Sequence, residues 1–261
     1  MIFRDIGAIY RSSWSFAKAC PWLFAIPAAV EFAQHIVEMN GGMYNGKAGA
    51  LAAESDPLRM QFGYAKTLAL LLPGYWFTRY VLFGHDARRA VRVEWPAFPL
   101  WLILFAVNAA FMAWSLFGTP LVELAGLAGD TAQQASIAVA MAVQVAAIYL
   151  TAWLVAWPLG NSRIGPLQSA GIMHGSFWYA VALSVAGILP LMAVHYGLGI
   201  APILWLPPAL DWAAMVLDSL VVGFLALTMT GGGIYAAKHA ADRRGVDLVP
   251  PIPASSFRAA E

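Results

Sequence analysis

Cysteine is nearly absent from the chain: Cys20 is the single thiol among 261 residues. One thiol excludes an internal disulfide and any site built on several cysteines. Charge is scarce as well. Asp, Glu, Lys and Arg make up 11% of the residues, against about 25% in an ordinary soluble domain. The net charge of +1 gives no basic surface of the kind nucleic acid requires. A Ser/His/Asp arrangement, a phosphate-cradling glycine loop and the H-E-x-x-H pattern of zinc proteases are also missing, so no enzymatic activity is expected.

Apolar residues are plentiful, at 61% of the chain with a mean hydropathy of +0.67. A soluble chain of this length buries one core and has no use for this much apolar surface. Hydrocarbon is the solvent that accepts the rest. The expected fold is therefore all-α: a polytopic membrane helix bundle with six transmembrane helices and amphipathic interfacial helices. Spans are expected at about 19–39, 64–84, 97–118, 134–158, 178–196 and 209–235, each long enough for a hydrocarbon core of roughly 30 Å. They form a single membrane domain over 1–245, and 246–261, rich in Pro, Ser and Ala, reads as a flexible cytoplasmic tail.

Residues 2–18, IFRDIGAIYRSSWSFAK, set a polar stripe of Arg4, Arg11, Ser15 and Lys18 against an aromatic face, which suits the surface of an anionic leaflet. Pro27 is expected to kink the first span, Pro73-Gly74 the second, and Gly231–Gly233 to end the last. Ile164–Gly175 predicts a short interfacial or re-entrant helix with Leu167, Ile172 and Met173 on lipid. Lys and Arg are concentrated in the segments that share a side with the N-terminus, while Lys47, Arg59 and Lys66 fall on the other. That bias predicts a multi-pass membrane protein with both termini cytoplasmic. Arg4, Arg11, Lys18, Arg88, Arg89 and Arg92 are the candidate contacts to lipid headgroups.

The first span carries Glu31, His35 and Glu38, whose spacing places them on one helical face. At about 1.5 Å per residue Glu31 lies roughly 12 Å from the outer end of its span, and Asn108 and Gln144 roughly 15 Å from theirs. Asp218 falls at a similar level, with His195 nearer the outer surface. The candidate ligand- or ion-binding residues are thus Glu31, His35, Asn108, Gln144, Asp218 and His195. One reading is interhelical glue, with the acids neutralised by burial. The other is an outward-facing cavity for a cation, protons or a lipid headgroup, since neither acid has an evident basic partner at that depth. Glu38 reads as solvated and Asp211 as a helix cap. His35 with His195, and His85 with His174, allow haem in principle. Glu31, His35 and Glu38 have the ligand types of a zinc or iron site. The pattern is unspecific, and no metal or cofactor is assigned.

The order of parts carries a resemblance. The second span ends in FGHDARRAV, the fourth and fifth are joined by RIGPLQSAGIMHGSFWYAVAL, and the last ends in GIYAAKHAADRR. This layout resembles the six-helix bacterial membrane proteins of the YciC type and the membrane domain fused to some glycerophosphodiester phosphodiesterases. The resemblance implies a location in the bacterial inner (plasma) membrane and a membrane domain without catalytic residues, and the phosphodiesterase domain itself is not in this sequence. The expected function is a scaffold or accessory subunit that contacts membrane lipids or the subunits of a larger membrane complex. The alternative is a small transporter or channel with an acidic intramembrane site at Glu31 and Asp218, followed by a membrane haem or metal protein.

Overall fold

α1 (Ile2–Ala19) and α2 (Pro21–Asn40) meet at Cys20 with a bend of 98°. Pro21 fits there because the first residue of a helix needs no amide hydrogen. The computed structural model describes residues 1–54 and 56–250, so the tail expected beyond residue 250 lies outside the described residues. The chain continues through α3 (Gly46–Ala53), α4 (Pro57–Leu71), α5 (Gly74–Leu82), α6 (Ala87–Ala90), α7 (Phe98–Phe117) and α8 (Leu121–Leu124). It ends with α9 (Gly129–Ala156), α10 (Pro166–Met173), α11 (Phe177–Leu204) and α12 (Asp211–Arg244). No strand occurs among the described residues, in line with the all-α expectation.

Four helices are long and apolar enough to cross a membrane: α7, α9 with the 3-10 turn that follows it, α11, and α12 with the turn before it. The bent pair of α1 and α2 raises this to five if it counts as one span. Six were expected. The second expected span divides at Pro73 into α4, of 15 residues, and α5, of 9. α2 has the length but is diluted by Glu31, Gln34, His35 and Glu38. The fifth expected span runs on to Leu204, because the uncharged segment after Tyr196 stays helical through Pro202.

α12 is the hub and packs on α11, α2, α1, α9 and α5. Its triple glycine does not end it; the helix continues to Arg244. The reason is packing: a Cβ on Gly232 would stand 2.9 Å from the Leu183 carbonyl of α11. Gly232, with Gly187 of α11 against the Thr228 carbonyl, brings the two backbones together, as small residues do between membrane helices. α1 buries Ile9, Phe16 and Ala17 in the same core and leaves Phe3 and Trp14 exposed. α10 buries Ile172 and Met173 where lipid contact was expected, and only Leu167 of that trio is exposed. Residues 246–250 were expected to begin a free tail, yet Leu248 is buried and Asn161 Nδ2 donates to the carbonyls of Asp247 and Leu248.

Arg79 is fully buried. Its guanidinium pairs with Glu94 at 2.6 Å and stacks on the rings of Tyr75 and Phe83. It also donates to the Pro158 carbonyl. This one side chain joins α5, the segment before α7 and the turn after α9.

Candidate functional site

The buried face of α2 is Leu23, Pro27, Ala28, Glu31, Gln34, His35 and Glu38. Steps of three and four residues put all seven on one stripe. The stripe is apolar at its start and polar at its end, and the polar end is the more demanding to bury. It rests on α12, which brings Asp218, and on α4, which brings Lys66.

His35 is the centre. Its Nε2 lies 2.9 Å from Asp218 Oδ2 and 3.4 Å from Glu31 Oε1. Its Nδ1 lies 3.1 Å from both Glu38 Oε2 and Tyr44 Oη. Asp218 is also held by His195, whose Nδ1 stands 2.8 and 2.9 Å from its two oxygens. One carboxylate of α12 thus bridges a histidine of α2 and a histidine of α11. Glu31, His35 and Asp218 are all buried.

Two cations close the cluster from its rim. Lys66 Nζ donates to Glu31 Oε1 at 3.2 Å. It lies 3.1 Å from Oε2 as well, but outside hydrogen-bond geometry. Arg59 Nε donates to Glu38 Oε1 at 3.0 Å, and Gln34 donates to the same oxygen at 2.8 Å. Tyr44 donates to Glu38 Oε2 at 2.9 Å. Burial, reinforced by the Glu38 carboxylate, pushes the Tyr44 hydroxyl well above its ordinary range, so it stays a donor.

Hydrogen-bond bookkeeping leaves one proton to place. A neutral imidazole carries a single N–H. With that hydrogen on Nδ1, toward Glu38, the Nε2 lone pair points at the oxygens of Asp218 and Glu31. In that tautomer three acceptors converge on one spot and need a second proton or a cation among them; with the hydrogen on Nε2 instead, the ring donates to Asp218 and Nδ1 faces the Tyr44 hydroxyl.

Of the six sequence candidates, the structure brings together Glu31, His35, Asp218 and His195. It does not bring in the other two. Asn108 Nδ2 donates to the Leu104 carbonyl of its own helix at 3.0 Å. Gln144 is exposed on α9. The reading of Glu38 as solvated is corrected: it is buried under Gln34, His35, Tyr44 and Arg59. The missing basic partner of Glu31 is Lys66, and Asp218 has the two histidines. Asp211 is the first residue of α12, buried, and makes no capping hydrogen bond. The sequence held a signal for Gln34 and Glu38, which share the stripe of Glu31. Lys66 was signalled only by being a lone cation in an apolar run.

The two histidine pairs that would allow haem in principle are not arranged as facing pairs. His35 and His195 share a carboxylate instead of facing each other across a gap. His85 Nε2 lies 2.9 Å from Ser12 Oγ, in a contact that also joins Tyr235. The six candidate headgroup residues, Arg4, Arg11, Lys18, Arg88, Arg89 and Arg92, are all exposed. Arg4 contacts Asp5, while Lys18 stands over Trp14 and Arg89 over Phe83.

No protein-family model, curated protein or solved structure matches the chain.

Proposed function

We propose that the chain is a non-catalytic integral membrane protein, a scaffold or accessory subunit of a larger membrane assembly. Gln144 carries this reading. It is exposed about midway along α9, and its amide makes no hydrogen bond to the described residues. In hydrocarbon an unsatisfied amide costs several kcal/mol. A bond to a neighbouring helix removes that cost and contributes about 0.6–2 kcal/mol. Ser136, Ala140 and Gln144 recur at every fourth residue along the crevice between α7 and α9. Ser136 and Ala140 are small, and small residues four apart admit another helix closely. α7 and α9 also bury 11% and 6% of their apolar stretch within the chain, against 56% for α12. Little in the protomer itself occupies their sides.

In this reading α2 and the α4–α5 pair cross the membrane too, which makes six spans. α2 keeps its acids against protein, and lipid meets its other side. Both termini face the cytoplasm, following the Lys and Arg bias, and the membrane is a bacterial inner membrane, as the resemblance in layout implies. The exposed cations of α1 and α6, with Arg92, meet anionic headgroups.

The test is the size of the particle extracted from native membranes in mild detergent. The expected result is a complex larger than the protomer that Gln144→Leu dissociates without lowering thermal stability. A monomeric wild type, or a complex that Gln144→Leu leaves intact, overturns the reading.

Transport is the second reading, favoured by three carboxylates buried beside two histidines. It requires ion-coupled flux in reconstituted vesicles that Glu31→Gln and Asp218→Asn abolish.

A further inference from the structure

We propose that Glu31, His35 and Asp218 bind one divalent first-row transition-metal ion, of the class of Zn²⁺ or Mn²⁺. The site lies between α2 and α12 and does not depend on the docking face of α7 and α9. One ligand atom from each residue falls within 4.8 Å of the other two. Around a tetrahedral ion with bonds of roughly 2.0–2.1 Å, ligand atoms stand about 3.3 Å apart. The two separations from His35 Nε2, 2.9 Å to Asp218 Oδ2 and 3.4 Å to Glu31 Oε1, bracket that value.

The surroundings are those of a metal ligand set. Glu38 lies against Nδ1 while Nε2 faces Asp218 and Glu31, so an ion bound at Nε2 would complete the carboxylate–histidine–metal arrangement that orients such rings. Glu38 is in turn pinned by Arg59, Gln34 and Tyr44. His195 Nδ1 holds both oxygens of Asp218. Glu31 faces His35 with Oε1, while its buried Oε2 lies against Lys66 without a formed hydrogen bond. Charge fits as well. Three carboxylates against Lys66 and Arg59 leave one negative charge for a divalent ion to meet. One imidazole and two carboxylates, with no thiolate, select zinc, manganese or iron(II) over copper(I).

The rival occupant is a proton, which makes His35 an imidazolium between Glu38 and Asp218. Cobalt distinguishes the two. Untagged protein, purified in detergent and stripped with chelator, is titrated with Co²⁺. The proposal expects one equivalent bound with visible d–d absorption, displaced by Zn²⁺. Glu31→Gln and Asp218→Asn should weaken binding by more than about 100-fold, and Glu38→Gln, which alters only the orienting carboxylate, by about 10–100-fold. His174→Ala, at a histidine outside the cluster, should change nothing. A monodisperse wild type that binds no Co²⁺ and retains no Zn²⁺ after dialysis overturns the proposal whether or not the variants fold. So does a Co²⁺ spectrum that survives Glu31→Gln and Asp218→Asn unaltered.

Discussion

His35 Nε2 and Asp218 Oδ2 stand 2.9 Å apart although 183 residues separate them in the chain. The contact fastens the polar end of α2 to the hub helix α12. It also fixes the rotation of both helices about their axes, which apolar packing leaves loosely defined. Because Asp218 also receives His195, the same carboxylate brings in α11. Three helices are therefore held in register by one side chain that is fully buried.

Lys66 and Glu31 form the pair most exposed to testing, since the lysine is 21% accessible and the carboxylate 1%. Removing the cation leaves a buried carboxylate facing other acids. Breaking a fully buried pair costs about 3–5 kcal/mol, and partial exposure of Lys66 places this case near the lower end, about 2–3 kcal/mol. Lys66→Met should lower thermal stability in detergent accordingly. The double variant Lys66→Met/Glu31→Gln should recover most of the loss, because the uncompensated charge has gone. Equal melting of wild type and Lys66→Met would show that the pair contributes nothing.

Gly232 tests the crossing of α11 over α12. A Cβ there meets the Leu183 carbonyl at 2.9 Å, closer than real Cβ atoms approach, and the obstacle is backbone that cannot swing aside. Gly232→Ala should cost about 1–3 kcal/mol, the usual range for overpacking. Gly171 in α10 is the control, since a Cβ there has nothing within 4 Å. Gly171→Ala should be neutral or gain about 0.5–1 kcal/mol from higher helix propensity. Thermal melts of both variants in one detergent make the comparison.

The sequence announces much of this arrangement and conceals the rest for physical reasons. The apolar runs of α7, α9 and α12 were legible because length and hydropathy alone specify such helices. The stripe of Glu31 and His35 was legible because polar residues at steps of four stand out on an apolar helix. What could not be read is the facing of helices that are apolar all round. α11 and α12 offer no periodicity to show which side meets the core, so the meeting of Asp218 with both histidines was hidden. For the same reason Gln144 and Asn108 were expected to join the polar layer and do not. Lys66 was hidden because a lysine stem is long enough to carry its charge inward or outward. The triple glycine was read as a helix end, since glycine's conformational freedom is local while its value here lies in contact with another helix.

The account turns on the coupling of His35 to Asp218. A double-mutant cycle in detergent, with chelator present, measures it through the stabilities of wild type, His35→Leu, Asp218→Leu and the double variant. The account predicts that each single change is strongly destabilising and that the double variant is more stable than the sum of the two losses by about 1–3 kcal/mol. Additivity within about 0.5 kcal/mol would mean that the two side chains do not interact, and the cluster as described would not exist.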